Sequence, residues 1–283
     1  MNNHLADGTS RANARLEEHS LPSYEDRPGT VPGRPSRLLL AAEVPRATAE
    51  AAATVTLRWL LAAAPHGDGH PVFVLPGFTA GDVSTLYLRR FLRSKGYFVH
   101  GWRLGPNLGP TKRIVRGLEA RVAAISQLHR TRCSLIGWSL GGIFARQIAR
   151  DQPDMIRQVI TMGTPLRIDH IGQLAAAPLF RALGFAHDPD AISAKDLQQA
   201  RPTLRVPATS IYSRTDGLAP WQLCQEGQGP MREAIEVVGS HCGLAHNPAV
   251  LAIVANRLAL PEDDWSPFIH SRLSRFLGAR AMA

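Results

Sequence analysis

Lysine is nearly absent from this chain: Lys95, Lys112 and Lys195 stand against 29 arginines, and the formal net charge is +9. Such a surplus could serve nucleic acid, anionic lipid or acidic substrates. The arginines are scattered, however, and are not interleaved with aromatics, and no nucleic-acid motif appears. The usage matches an Ala- and Arg-rich, GC-rich genome, and no nucleic-acid partner is expected. Cysteine is scarce too. Cys133, Cys224 and Cys242 cannot form a fully paired framework, which excludes a disulfide scaffold and suits a reducing compartment. Long apolar runs are missing. The Ala- and Leu-rich stretch 38–64 is broken by Glu43, Pro45, Arg46, Glu50 and Arg58, so it reads as one or two packed helices, not a membrane span. Weak peripheral membrane contact stays open. No apolar segment follows the start, so the expectation is no signal peptide and a cytoplasmic location. No Cys-x-x-Cys, His-Glu-x-x-His, EF-hand or P-loop pattern occurs, and no Gly-x-Gly-x-x-Gly follows a strand. Hence no metal and no cofactor is expected.

What is present is enough apolar residue for a sizeable core, 45% of 283 residues. Residues 1–36 are polar, rich in Pro, Gly, Arg and Glu, and read as a disordered tail. From Pro71 onward, short apolar runs alternate with amphipathic segments. Strands are expected at 72–75, 97–102, 133–136, 158–162, 208–212 and 234–238, and helices at 85–95, 112–129, 140–150 and 248–258. On the second helix Ile114, Leu118, Val122, Ile125 and His129 fall near one face. This alternation predicts an α/β fold: a mostly parallel sheet of about six core strands with helices on both faces. One segment breaks the rhythm. Residues 166–206 separate the fourth and fifth strands by about forty residues, too long for a bare loop in a compact domain, and read as an inserted helical cap.

The most informative motif is Gly137-Trp138-Ser139-Leu140-Gly141. The pattern alone is weak, but an apolar strand runs into it and an amphipathic helix runs out. A serine on such a turn sits in a strained conformation with its hydroxyl clear of the sheet, at a helix N-terminus whose dipole favours negative charge. The plainer reading is a serine that only caps the helix. A serine nucleophile needs a base, and the base needs a carboxylate. In this architecture the acid and then the histidine follow later strands. Asp216 is the first acid after the fifth strand, and His241 lies just past the sixth; His246, in His-Asn-Pro, is the competitor and reads more like a helix cap. An oxyanion hole needs two backbone N–H groups, one from the residue after the nucleophile and one from the loop after the first core strand. Leu140 and Phe78 occupy those positions. Cys242 adjoins His241 in sequence and is read as structural.

Together, VFVLPGFTAGD, SLIGWSLGG, TMGTP, SIYSRTDG and GSHCGLAHNP resemble the α/β-hydrolase superfamily, in particular its bacterial lipase- and esterase-like members. The resemblance runs from about Pro71 to Leu260. Both flanks lie outside it; the domain is read as 37–265, with the cap inserted at 166–206 and residues 266–283 as a C-terminal tail. The resemblance implies Ser139 as nucleophile, Asp216 as acid, His241 as base, and Phe78 and Leu140 as oxyanion donors, with the Met162-Gly163-Thr164-Pro165 turn bordering an acyl pocket. Many members carry His-Gly where this chain has Pro76-Gly77, so the first oxyanion element rests on position more than identity. The expected activity is hydrolysis of a small-molecule acyl ester through an acyl-enzyme. An acyltransferase or a thioesterase would use the same triad. In the cap, Leu174, Leu179, Phe180, Leu183 and Phe185 are expected to form an apolar face, with Leu179 and Phe180 touching the acyl chain, while Asp188, Asp190, Lys195 and Asp196 face solvent.

Overall fold

In a computed structural model of the chain, residues 32–168, 171–183, 203–227 and 229–281 are described. Seven strands form one sheet in the order β2-β1-β3-β4-β5-β6-β7. They are β1 (Pro71–Leu75), β2 (Phe98–His100), β3 (Cys133–Trp138), β4 (Ile156–Met162), β5 (Ala208–Tyr212), β6 (Arg232–Glu236) and β7 (Arg280–Ala281). The first six run parallel, and β7 is antiparallel to β6.

Every residue of β1, β3, β4 and β5 is buried, as a strand covered on both faces requires. Alternate side chains enter opposite layers. Val72, Val74, Ile136, Ile160 and Ile211 pack with Leu88 and Leu92 of α4 (Leu86–Ser94) and with Val250, Ile253 and Val254 of α8 (Pro248–Leu258). Phe73, Leu75, Leu135 and Val159 pack with α5 (Lys112–His129) and with Phe144 and Ile148 of α6 (Leu140–Asp151). The face of α5 is as the spacing predicts, with Ile114, Leu118, Val122 and Ile125 buried; Thr111 caps its start by accepting from the Ile114 N–H at 3.2 Å.

Three helices precede the sheet: α1 (Arg37–Ala41), α2 (Glu43–Thr56) and α3 (Arg58–Leu61). No strand occurs among the described residues before β1. None of the helices among the described residues is long and apolar enough to cross a membrane. Of the cap insertion, α7 (Ala177–Leu183) is helical, whereas residues 169–170 and 184–202 lie outside the described residues, as do 1–31 of the N-terminal tail.

Two expectations need correction. The sixth strand spans 232–236 instead of 234–238. Its ladder starts at Arg232 opposite Ala208 and includes Glu233, whose charge is met by Arg257 Nη1 at 2.7 Å, the Thr209 hydroxyl at 2.8 Å and the Phe268 N–H at 2.7 Å. A reading based on apolar runs discounts those polar positions, while Val238 past the strand end is 68% exposed. The segment read as a C-terminal tail holds α9 (Arg272–Phe276) and β7. A two-residue antiparallel strand is too short to show in sequence periodicity.

Candidate active site

The strand order reverses between β1 and β3: the chain leaves β1 to one side for β2 and returns across it to β3. In open α/β sheets the crevice at such a switch point, beyond the carboxyl ends of the strands, is where ligands bind. The loop after β1 carries Phe78 and the turn after β3 carries Ser139 and Leu140, while Asp216 and His241 follow β5 and β6.

Ser139 stands between β3 and α6 with φ 53° and ψ −122°. Such a conformation costs an L residue about 1–3 kcal/mol and persists where its surroundings over-determine it. Here the Ser139 N–H donates to Met162 O at 2.8 Å, and Ser139 O accepts from Gly142 N and Thr164 Oγ1, each at 2.9 Å. Gly141 is required by space, since a Cβ there would lie 2.3 Å from Leu75 O. The close approach sets the start of α6 against the end of β1. The loop after β1 passes beside the serine as well, because a Cβ on Gly77 would sit 3.2 Å from Ser139 Cβ. Buried Asn107 fixes that loop. Its Nδ2 donates to Pro76 O at 2.8 Å, its N–H donates to Ala80 O at 2.8 Å, and its carbonyl accepts from Thr79 N at 2.7 Å. Half-buried Phe78 lies within this loop, and Leu140 is the first residue of α6. Asn107 was not singled out from sequence; its signal is an asparagine alone between Gly-Pro turns.

Asp216 and His241 are both buried and meet directly, His241 Nδ1 donating to Asp216 Oδ2 at 2.6 Å. The other carboxylate oxygen accepts from the N–H groups of Leu218 and Ala219, each at 2.7 Å. Trp138 Nε1 donates to His241 O at 3.1 Å. A Cβ on Gly163 would lie 3.1 Å from His241 Nδ1. The Met162–Gly163 turn therefore touches both the serine backbone and the imidazole. Among the described residues no hydrogen bond joins the Ser139 hydroxyl to the His241 ring; such contacts tighten when a substrate is bound. Burial disfavours the imidazolium, but the Asp216 charge and hydrogen bond, with Glu43 adding to them, outweigh it and hold His241 above its ordinary value. Cys242, by contrast, is pushed up to about 12 by burial and by Glu43, which leaves the thiol unreactive. His246 faces away: its Nε2 donates to Ala47 O at 3.0 Å.

A hydrogen-bonded Ser–His–Asp relay lies elsewhere, at residues the sequence reading missed. His70 Nδ1 meets Asp68 Oδ1 at 2.5 Å, and His70 Nε2 meets the Ser134 hydroxyl at 2.8 Å. Ser134 is fully buried inside β3, four residues before the strand's end, and shows no backbone strain. Arg157 holds Asp68 at 2.7 Å, and burial together with that guanidinium lowers His70, against the pull of Asp68. This relay ties the segment ahead of β1 to the amino end of β3, where Ser134 and His70 are both buried.

On α7, Ala177 is buried and Leu179 is 49% exposed; Leu174 just before it packs near Tyr212, Ala219 and Cys224. The side chains of Phe180 and Leu183, and all of Phe185, Asp188, Asp190, Lys195 and Asp196, lie outside the described residues.

No family model matches the chain. An 87-residue stretch is 36% identical to the biotin biosynthesis bifunctional protein BioHC of Teredinibacter turnerae, covering 26% of this chain and 15% of that protein. The chain therefore matches well under two thirds of that relative's length. Among solved structures, Aspergillus fumigatus lipase B superposes with a TM-score of 0.52 at 15% identity over 77% of this chain and 59% of that one. A structure reported for the metagenome-derived lipolytic enzymes LipS and LipT gives a TM-score of 0.50 at 18% identity, over 69% and 93%. With a parallel sheet switching direction at β1 and β3, and a strained serine closing β3, the chain has the α/β-hydrolase fold.

Proposed function

We propose that this protein is a serine hydrolase that cleaves carboxylic esters through an acyl-enzyme. The observation that supports it most is the pairing of a strained Ser139 at the head of α6 with a buried His241–Asp216 couple packed on the same Met162–Gly163 turn. With Nδ1–H committed to Asp216, the His241 ring carries its lone pair on Nε2 and can take the Ser139 proton. The serine oxygen then attacks the ester carbonyl, and the N–H groups of Phe78 and Leu140 receive the oxyanion. His241 returns the proton to the leaving alcohol. Water, deprotonated by the same ring, next releases the acid and restores the serine. The raised His241 supports this role, since an imidazolium must be stable as the tetrahedral intermediate forms. In this reading half-exposed Leu179, on α7, walls the acyl chain.

The test is labelling by a serine-directed fluorophosphonate, with turnover of p-nitrophenyl esters from acetate to palmitate. Wild type should be labelled and active. Ser139→Ala should lose labelling and fall by several orders of magnitude, with only the residual about 10³–10⁴-fold over water that outlives a triad. An active Ser139→Ala protein refutes the proposal. Label without ester turnover points instead to transfer to another acceptor or to a thioester substrate.

A further inference from the structure

Helix α2 lies outside the sheet and its flanking layers, yet its polar side chains converge on the loops that carry Asp216 and His241. Glu43, Arg46, Ala47, Glu50 and Thr54 fall at i, i+3, i+4, i+7 and i+11, a single stripe of the helix. Arg46 donates to Thr215 O at 2.7 Å and to Thr215 Oγ1 at 2.8 Å. Ala47 O accepts from His246 Nε2, and the Thr54 hydroxyl donates to His246 O. Glu50 accepts from the Ser240 N–H at 2.6 Å and from Asn247 Nδ2 at 3.0 Å.

Glu43 stands at the centre. It is 2% exposed, and its carboxylate accepts three backbone N–H groups: Gly217 at 2.7 Å, His241 at 3.1 Å and Cys242 at 2.8 Å. A carboxylate is an acceptor with no proton to give, so it matches three donors where a neutral amide cannot. Gly217 follows the acid directly, and His241 is the base itself. One side chain thus joins the two loops whose spacing sets the 2.6 Å contact between Asp216 and His241. The acid loop also packs closely on α1, which leads into this helix: a Cβ on Gly217 would lie 2.6 Å from Leu39 O.

We propose that Glu43 is a positioning residue of the active site, locking the acid loop to the base loop from a helix outside the sheet and placing a second negative charge behind His241. The proposal rests on the triad reading above. The groups that face His241 are the Asp216 carboxylate from the loop after β5, Glu43 from α2, Cys242 from its own loop, and the uncharged Trp138, Gly163 and Leu244; Glu50 acts one residue away, on Ser240.

The experiment compares wild type with Ser139→Ala, Glu43→Gln, Glu43→Asp and Thr54→Val for p-nitrophenyl butyrate hydrolysis from about pH 5 to pH 9, for fluorophosphonate labelling and for Tm. Glu43→Gln should lower kcat about 10- to 100-fold with KM within about two-fold, because misplacement of the base, not of the substrate, is being introduced. Its acid limb should move to lower pH, since a charge that stabilises the imidazolium has gone. Glu43→Asp keeps the charge, so it should lose kcat with the acid limb in place. Thr54→Val removes a bond on the same stripe and should lower Tm while leaving kcat and the pH profile alone. If Ser139→Ala stays active, the triad reading fails and this proposal with it. If Ser139→Ala is dead but Glu43→Gln keeps the wild-type kcat and acid limb, the triad stands and Glu43 is structural only. Should Glu43→Gln not fold, Glu43→Asp decides: wild-type kcat overturns the proposal, and so does failure of both variants to fold, which would make Glu43 a folding residue.

Discussion

Replacing Asp216 by Asn alters one atom and tests the logic of the site closely. Asp216 Oδ1 accepts two backbone N–H groups at 2.7 Å, so an oxygen must stay there. The new amide then places its NH₂ where Oδ2 was, 2.6 Å from His241 Nδ1. Two donors cannot face each other, so the ring must present its lone pair at Nδ1 and carry its proton on Nε2. In that tautomer it cannot accept the serine proton. The same substitution in a serine-protease triad costs about 10⁴ in kcat, which at 1.36 kcal/mol per tenfold is about 5.4 kcal/mol of barrier. A loss of that order is expected here, with KM little changed. Removing the carboxylate charge also lowers the pH of the acid limb, since the imidazolium loses its strongest support. The assay is kcat and KM for p-nitrophenyl butyrate against pH, with circular dichroism to show an unaltered fold. Activity within about tenfold of wild type in a folded Asp216→Asn protein would refute the assignment of the acid.

Ser134→Ala should leave kcat unchanged and cost about 1–3 kcal/mol of stability in urea unfolding, because His70 Nε2 loses its partner in a buried relay; loss of turnover would mean the wrong serine was chosen. His241→Ala should abolish activity, whereas His246→Ala, which loses a bond to α2, should cost no more than about 1 kcal/mol of stability and little rate. The wild-type rate should fall on the acid side with a midpoint above the ordinary imidazole value of about 6.5, since the rate needs neutral His241 and its surroundings favour the proton; a profile flat across that range contradicts a histidine base. Replacing Leu179 and Phe180 by Ala should lower the ratio of long-chain to short-chain kcat/KM, and an unchanged ratio in folded protein removes α7 from the acyl site.

The core strands were legible because burial on both faces leaves continuous apolar runs, as in Val72–Leu75 and Cys133–Ile136. Where polar residues sit in a ladder with private partners, as Glu233 does with Arg257, the apolar pattern slides the strand by two residues. In the candidate site, Ser139, Asp216 and His241 were legible as candidates because each follows a strand, and the structure brings the last two into contact. Glu43 and Asn107 were not, since their partners are backbone groups far away in the chain, and a hydrogen bond to a backbone N–H leaves no mark on the partner's identity. The one trace of Glu43 is the polar stripe at 43, 46, 50 and 54 in an otherwise Ala-rich helix. That stripe is a reason to doubt a purely apolar packing face. His70 is hidden for another reason: its serine partner lies 64 residues on, and nothing in the sequence ties the two.

The short pairing of β7 with β6 bears on solubility. β6 is the last parallel strand, and Ile235 and Glu236 on its outer side are paired by Ala281 and Arg280. Without that cover, part of β6 would present unpaired N–H and C=O groups next to a buried isoleucine, a template for strands of other molecules. A protein truncated after Ala279 should keep its sheet and site, yet lose yield to aggregation at high concentration, with the rate rising steeply with protein concentration in light scattering. Two residues of backbone, remote from any chemistry, would then act as a gatekeeper against self-association.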